Sequence, residues 1–131
     1  MTYFPECSTI TKDKKYTIAA ERTTLHLVNK DMLEIEIAKF DECKLTSGKK
    51  CDFAVVCEIK NIVHLIEMKG ITKVADAIYQ LEATLSCEII KGLITNLRKR
   101  CWIVSSVQSK RLPRIMEAIQ NDREYFRTNF K

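Results

Sequence analysis

Glycine and proline are scarce in this chain, three and two among 131 residues. With 46% hydrophobic and 30% charged residues, that scarcity excludes a disordered or low-complexity chain and leaves no stretch with the composition of a linker. The expectation is one compact domain over residues 1–131. Long apolar runs are also missing. Ile62–Ile66 is typical of those present and is far too short to span a bilayer, and MTYFPECST does not begin with a basic segment followed by an apolar one. The reading is a soluble, unexported, cytoplasmic protein with no membrane partner. No CxxC occurs among the six cysteines, and Cys43, Cys51 and Cys57 stand eight and six positions apart, poor spacing for a zinc or iron–sulfur site. Reduced thiols in the core are expected, because a disulfide scaffold is normally shorter, loop-rich and exported.

Charge is present but uneven. Residues 1–91 hold thirteen Lys/Arg and fourteen Asp/Glu, and residues 92–131 hold nine and three. The excess of the last third sits in Arg98, Lys99 and Arg100 and in Lys110, Arg111 and Arg114. Such clusters neutralise phosphates, or they solvate a face.

The first dozen residues read as loop or edge strand. Over residues 14–28, Tyr16, Ala19, Ala20 and Leu27 fit a helical stripe loosely, so a helix is expected there. MLEIEIAKF alternates as a half-buried strand, LTSGKK reads as a turn, and CDFAVVCEI and IVHLIEMK form two β-branched runs divided by KN, the pattern of a hairpin. Ile71, Val74, Ala75, Ile78, Leu81 and Leu85 then recur at helical spacing, with Gly92 as the expected stop. RCWIVSSV is a further strand, and LPRIMEAIQNDREYF a last helix with Pro113 in its first turn. The order predicts a mixed α/β domain, with antiparallel hairpins first and a fourth strand reached through a crossover helix.

Within IEMKG, Glu67 and Lys69 share a strand face, as a surface ion pair or as two parts of a site. A hairpin turn centred between Ile59 and Lys60 sets Asp52 opposite Glu67. Opposed carboxylates destabilise a sheet unless a positive charge sits between them. A divalent cation supplies it, and two carboxylates with a backbone carbonyl and waters suit Mg²⁺.

These residues carry a likeness. CDFAVVCEIKNIVHLIEMK resembles the Asp…Glu-x-Lys signature of the PD-(D/E)XK nuclease superfamily, and the element order resembles its restriction-endonuclease-like αβββαβ core, a mixed sheet flanked by helices, over most of residues 14–107. The resemblance implies Mg²⁺ (or Mn²⁺) held by Asp52, Glu67 and the Met68 carbonyl, with Lys69 positioning or activating the attacking water. It also implies a polar residue on the following helix, for which Gln80 fits, and in some members a glutamate on the first helix, for which Glu21 is the candidate. The proline of the motif is Cys51 here.

His64, in IVHLI, lies on the face opposite Glu67 and reads as packed, as does His26. Trp102 reads as core, with base stacking as the alternative, and Asp41 as a strand-end turn residue, with an extra ligand as the alternative. The resulting expectation is a small Mg²⁺-dependent nuclease hydrolysing phosphodiester bonds of DNA or RNA. The basic last third would grip the backbone, and a second copy or a protein partner would supply specificity. Its rival is a non-catalytic interaction module on the same fold: an immunity protein, inhibitor or assembly subunit.

Overall fold

The computed structural model describes residues 2–20, 23–44, 48–69, 74–105 and 124–129; for Ala20, Thr23, Lys69, Val74, Ser105 and 124–129 it describes the backbone only. Six strands form one mixed sheet: β1 (Ser8–Thr11), β4 (Ile35–Lys39), β5 (Phe53–Cys57), β6 (Ile62–Lys69), β7 (Arg98–Ser105) and β8 (Glu124–Asn129), hydrogen-bonded side by side as β1-β4-β5-β6-β7-β8. The first four are antiparallel neighbours, and β6, β7 and β8 run parallel. A crossover of two helices, α1 (Val74–Ser86) and α2 (Glu88–Leu93), joins β6 to β7 as parallel pairing requires. Mixed α/β architecture, the edge strand and the helical crossover all agree with the sequence reading.

The hairpin β5–β6 follows from its residues. Runs of Val and Ile favour the pleated, buried setting, and the turn Glu58–Asn61 closes with the Asn61 amide donating to the Glu58 carbonyl at 3.0 Å. Asn61 takes the left-handed conformation there (φ 55°), which asparagine tolerates better than most residues.

The sheet is buried on both faces. On one, Ala54, Val56, Val63, Leu65 and Ile103 meet Ala77, Leu81 and Leu85 of α1 and Ile90 of α2. On the other, Ile37, Phe53, Val55, Ile66, Met68 and Val104 meet Ile18 and Leu25. Those two residues belong to a second, two-stranded sheet, β2 (Lys15–Ala20) paired antiparallel with β3 (Thr23–Val28). The helix expected over 14–28 is therefore this hairpin. Alternation of Tyr16 and Ile18 with Thr17 and Ala19, and of Leu25 and Leu27 with His26 and Val28, presents one apolar edge to the large sheet, and it prevails over the loose helical stripe.

Three other expectations are corrected. Cys7 and Cys43 are joined by a disulfide, whereas Cys51, Cys57, Cys87 and Cys101 carry thiols as expected. The bond ties the segment before β1 to the 3-10 turn Phe40–Glu42 after β4, where Phe4 and Phe40 meet edge to face at 5.2 Å. The helix over 71–93 breaks at Cys87, whose backbone is extended and caps α2, and α2 runs through Gly92 to Leu93. Residues 124–129 are strand, so the last helix does not reach Phe126; its earlier part lies outside the described residues.

Buried Glu36 completes the frame. Its carboxylate accepts the Tyr3 and Phe4 amides, each at 2.7 Å, and the Ser8 hydroxyl at 2.8 Å. Three donors satisfy a charge that would otherwise be costly to bury.

Candidate active site

Asp52 lies one residue before β5, where the main chain has little freedom. Its amide donates to the Ile66 carbonyl at 3.0 Å, its carbonyl accepts the Phe40 amide at 3.0 Å, and the preceding Cys51 amide donates to the Thr84 hydroxyl at 2.6 Å. The ladder runs from the Cys57–Ile62 pair to the Phe53–Ile66 pair, the register expected from a turn centred between Ile59 and Lys60, and ends there; Asp52 lies one residue beyond it, with its amide still on Ile66. Glu67 alternates with Leu65 and so belongs to the helix-side face of β6. Glu67 is 1% exposed and Asp52 half-buried.

The Asp52 carboxylate is held as well, its Oδ2 accepting the Met68 amide at 2.8 Å. A strand residue's N–H and C=O face the same edge, so the Met68 carbonyl also faces the β5 edge beside Asp52. The structure thus brings the Asp52 carboxylate to the Met68 backbone, one residue from Glu67. Lys69 ends β6, and its side chain lies outside the described residues.

α1 supports this corner through Thr84. Its fully buried hydroxyl donates to the Gln80 carbonyl at 2.7 Å while accepting the Cys51 amide, so the Gln80–Thr84 stripe of the helix is tied to the residue before Asp52. Gln80 itself is half-buried, one turn away. Thr84 escaped the sequence reading, although a threonine four residues after Gln80 in an amphipathic helix is a signal. Cys51 is no nucleophile: burial pushes its thiol well up, against a lowering contribution from Thr84, and the Glu67, Cys101 and Asp52 charges push it further up.

The donor set is all oxygen, two carboxylates and a carbonyl, which fits Mg²⁺ better than softer metals, and each carboxylate oxygen can take more than one partner. Among the described residues no group of three His, Cys, Asp or Glu side chains converges to hold a metal. A cation here would rest on two side chains, backbone and water. Asp41 is exposed in the 3-10 turn, and Glu21 lies outside the described residues.

The basic triplet is divided by the pleat of β7. Lys99 turns to the helix side, its ammonium donating to the Leu97 and Thr95 carbonyls at 2.8 and 3.4 Å, and burial lowers its pKa. Arg98 and Arg100 alternate with it onto the hairpin side, where Arg98 donates to the Lys60 carbonyl at 3.4 Å. Lys110, Arg111 and Arg114 lie outside the described residues. His26 is exposed, with Nδ1 3.1 Å from the Thr17 hydroxyl, and His64 packs beside Trp102 on the face opposite Glu67.

No family model matches this chain, and neither a curated protein nor a solved structure matches it. Among the described residues no helix is long and apolar enough to cross a membrane.

Proposed function

We propose that this chain is a Mg²⁺-dependent nuclease hydrolysing phosphodiester bonds of DNA or RNA, with a PD-(D/E)XK-like site at the start of β5 and the end of β6. The observation that carries the reading is the Asp52 carboxylate held on the Met68 amide at 2.8 Å, one residue from the buried Glu67. A sheet built for stability alone gains nothing from burying Glu67 with a second carboxylate at the next residue's backbone.

In this reading Asp52, Glu67 and the Met68 carbonyl hold Mg²⁺ (or Mn²⁺). The ion, when bound, stabilises the negative charge that builds on the phosphoryl group. Lys69 orients the attacking water and steadies its developing charge; the water oxygen bonds to phosphorus as the P–O bond to the leaving sugar oxygen breaks, the water gives up a proton to solvent, and the leaving oxygen takes one from it. Gln80 assists in placing the water or the phosphate. Arg98, Lys99 and Arg100, with Lys110, Arg111 and Arg114, supply positive charge for the nucleic-acid backbone.

One observation favours a second reading, a non-catalytic interaction module. The Asp52–Met68 hydrogen bond closes the β5–β6 ladder by itself, so Asp52 has a structural use without any ion. Calorimetric titration with Mg²⁺ or Mn²⁺, followed by a nuclease assay on mixed DNA and RNA, separates the two. The nuclease binds the ion and cuts; the module does neither.

A further inference from the structure

The opposite face of the sheet holds a cavity of about 350 Å³ between β3 and strands β5, β6 and β7. Its walls are aliphatic: Leu25 and Leu27 of the hairpin, and Val55, Ile66 and Val104 of the sheet. His64 and Trp102 also line it. An apolar cavity of about 150 Å³ is enough for benzene, and pockets for small molecules begin at roughly 300 Å³, so this space exceeds a packing defect.

The cavity has a direction. In the parallel register of β6 and β7, His64 pairs with Arg100 and Ile66 with Trp102, while Ile62 pairs with Arg98. Moving along the strands from Val104 toward Arg98, the lining passes from aliphatic to the two rings, and beyond the lining Arg100 and then Arg98 follow on the same face of β7. The Trp102 indole N–H donates to His64 Nδ1 at 2.8 Å, with the rings 5.9 Å apart. Nδ1 is therefore the acceptor and Nε2 carries the proton, making the imidazole a second hydrogen-bond donor of fixed orientation. Arg100 is the cross-strand neighbour of His64, and Arg98, on the Lys60 carbonyl, is that of Ile62, so positive charge gathers at this end; burial first, and then the charges of Arg100, Lys60 and Arg98, lower the His64 pKa to about 4.

We propose that this cavity binds a small apolar molecule carrying one anionic head group, a medium-chain carboxylate in the simplest case, with its chain among Leu25, Val55, Ile66 and Val104 and its head group toward Arg98 and Arg100. The charge complementarity selects the anion, and the aliphatic walls select a chain over a nucleobase, whose polar edges would find few partners here. The site is on the other side of the sheet from Glu67 and does not depend on the role of Asp52 and Glu67.

Trp102 is the sequence's one tryptophan, so its emission reports on this cavity. The experiment titrates the full chain with sodium octanoate below its micelle-forming concentration, with octanol and octylammonium as head-group controls. Octanoate is expected to change Trp102 emission saturably, octanol to bind about tenfold more weakly, and octylammonium more weakly still, as loss of a charge-assisted hydrogen bond implies. Exposed Arg98→Glu should weaken octanoate about tenfold at an unchanged urea midpoint. The proposal is overturned if octanoate gives no saturable change, if octylammonium binds as well, or if Arg98→Glu binds like the parent. A short single-stranded oligonucleotide that moves Trp102 emission where octanoate does not also overturns it, in favour of base stacking.

Discussion

The Thr84 hydroxyl accepts the Cys51 amide at 2.6 Å, joining the middle of α1 to the residue before Asp52. Because the pair is buried, Thr84→Val leaves that amide without its acceptor and should cost about 1–3 kcal/mol, while Thr84→Ser should recover most of the loss. Urea unfolding of the two variants measures the difference. Equal stabilities would show that the bond contributes nothing to holding this corner.

The disulfide gives a second prediction. Cys7 and Cys43 are 36 residues apart, and closing a loop of that length in the unfolded chain removes entropy worth about 4 kcal/mol. Cys7→Ser/Cys43→Ser should unfold at lower denaturant by roughly that free energy, and dithiothreitol should do the same to the parent but not to the double variant.

Stability should fall in mild acid through His64. Its folded pKa of about 4 lies below the ordinary value of 6.5, so between the two the unfolded chain binds the proton and the folded chain does not. The contribution is complete above pH 6.5, declines as the pH falls through this window and is gone below 4, a loss on the order of 3 kcal/mol. Protonation of Nδ1 also ends its role as acceptor for the Trp102 indole. Urea midpoints from pH 7 to pH 4 should therefore drop less steeply in His64→Asn than in the parent.

What was legible in the sequence was whatever rests on short-range pattern. Two β-branched runs divided by a short polar turn imply a hairpin, and its centre sets the register that holds from the Cys57–Ile62 pair to the Phe53–Ile66 pair. The crossover helix followed from spacing at Ile78, Leu81 and Leu85. Residues 14–28 misled because Tyr16, Ala19, Ala20 and Leu27 satisfy a helical stripe, while what favours strands is the apolar edge of Ile18 and Leu25, which gains its energy only against a distant sheet. The Cys7–Cys43 bond, the Glu36 clamp and the cavity under β3 join residues far apart in the chain. No local period records such neighbours.

In the proposed nuclease, substitution of Lys69 separates chemistry from cation binding. Lys69→Ala should leave Mg²⁺ affinity within about threefold of the parent while lowering the cleavage rate by roughly a hundredfold or more, the scale of a lost water-positioning group. Parallel loss of both would make Lys69 a structural partner of the carboxylates.

The most direct measurement compares the parent and Asp52→Asn for Mg²⁺-dependent cleavage of DNA and RNA, with circular dichroism on the same samples. The asparagine side-chain carbonyl can still accept the Met68 amide, so the ladder end is kept while the ligand charge is lost. The account predicts that the parent cuts at least one of the two polymers with Mg²⁺ and not with chelator, and that Asp52→Asn folds normally without cutting. A parent that cuts neither polymer, or an Asp52→Asn chain that cuts as fast as the parent, would contradict it.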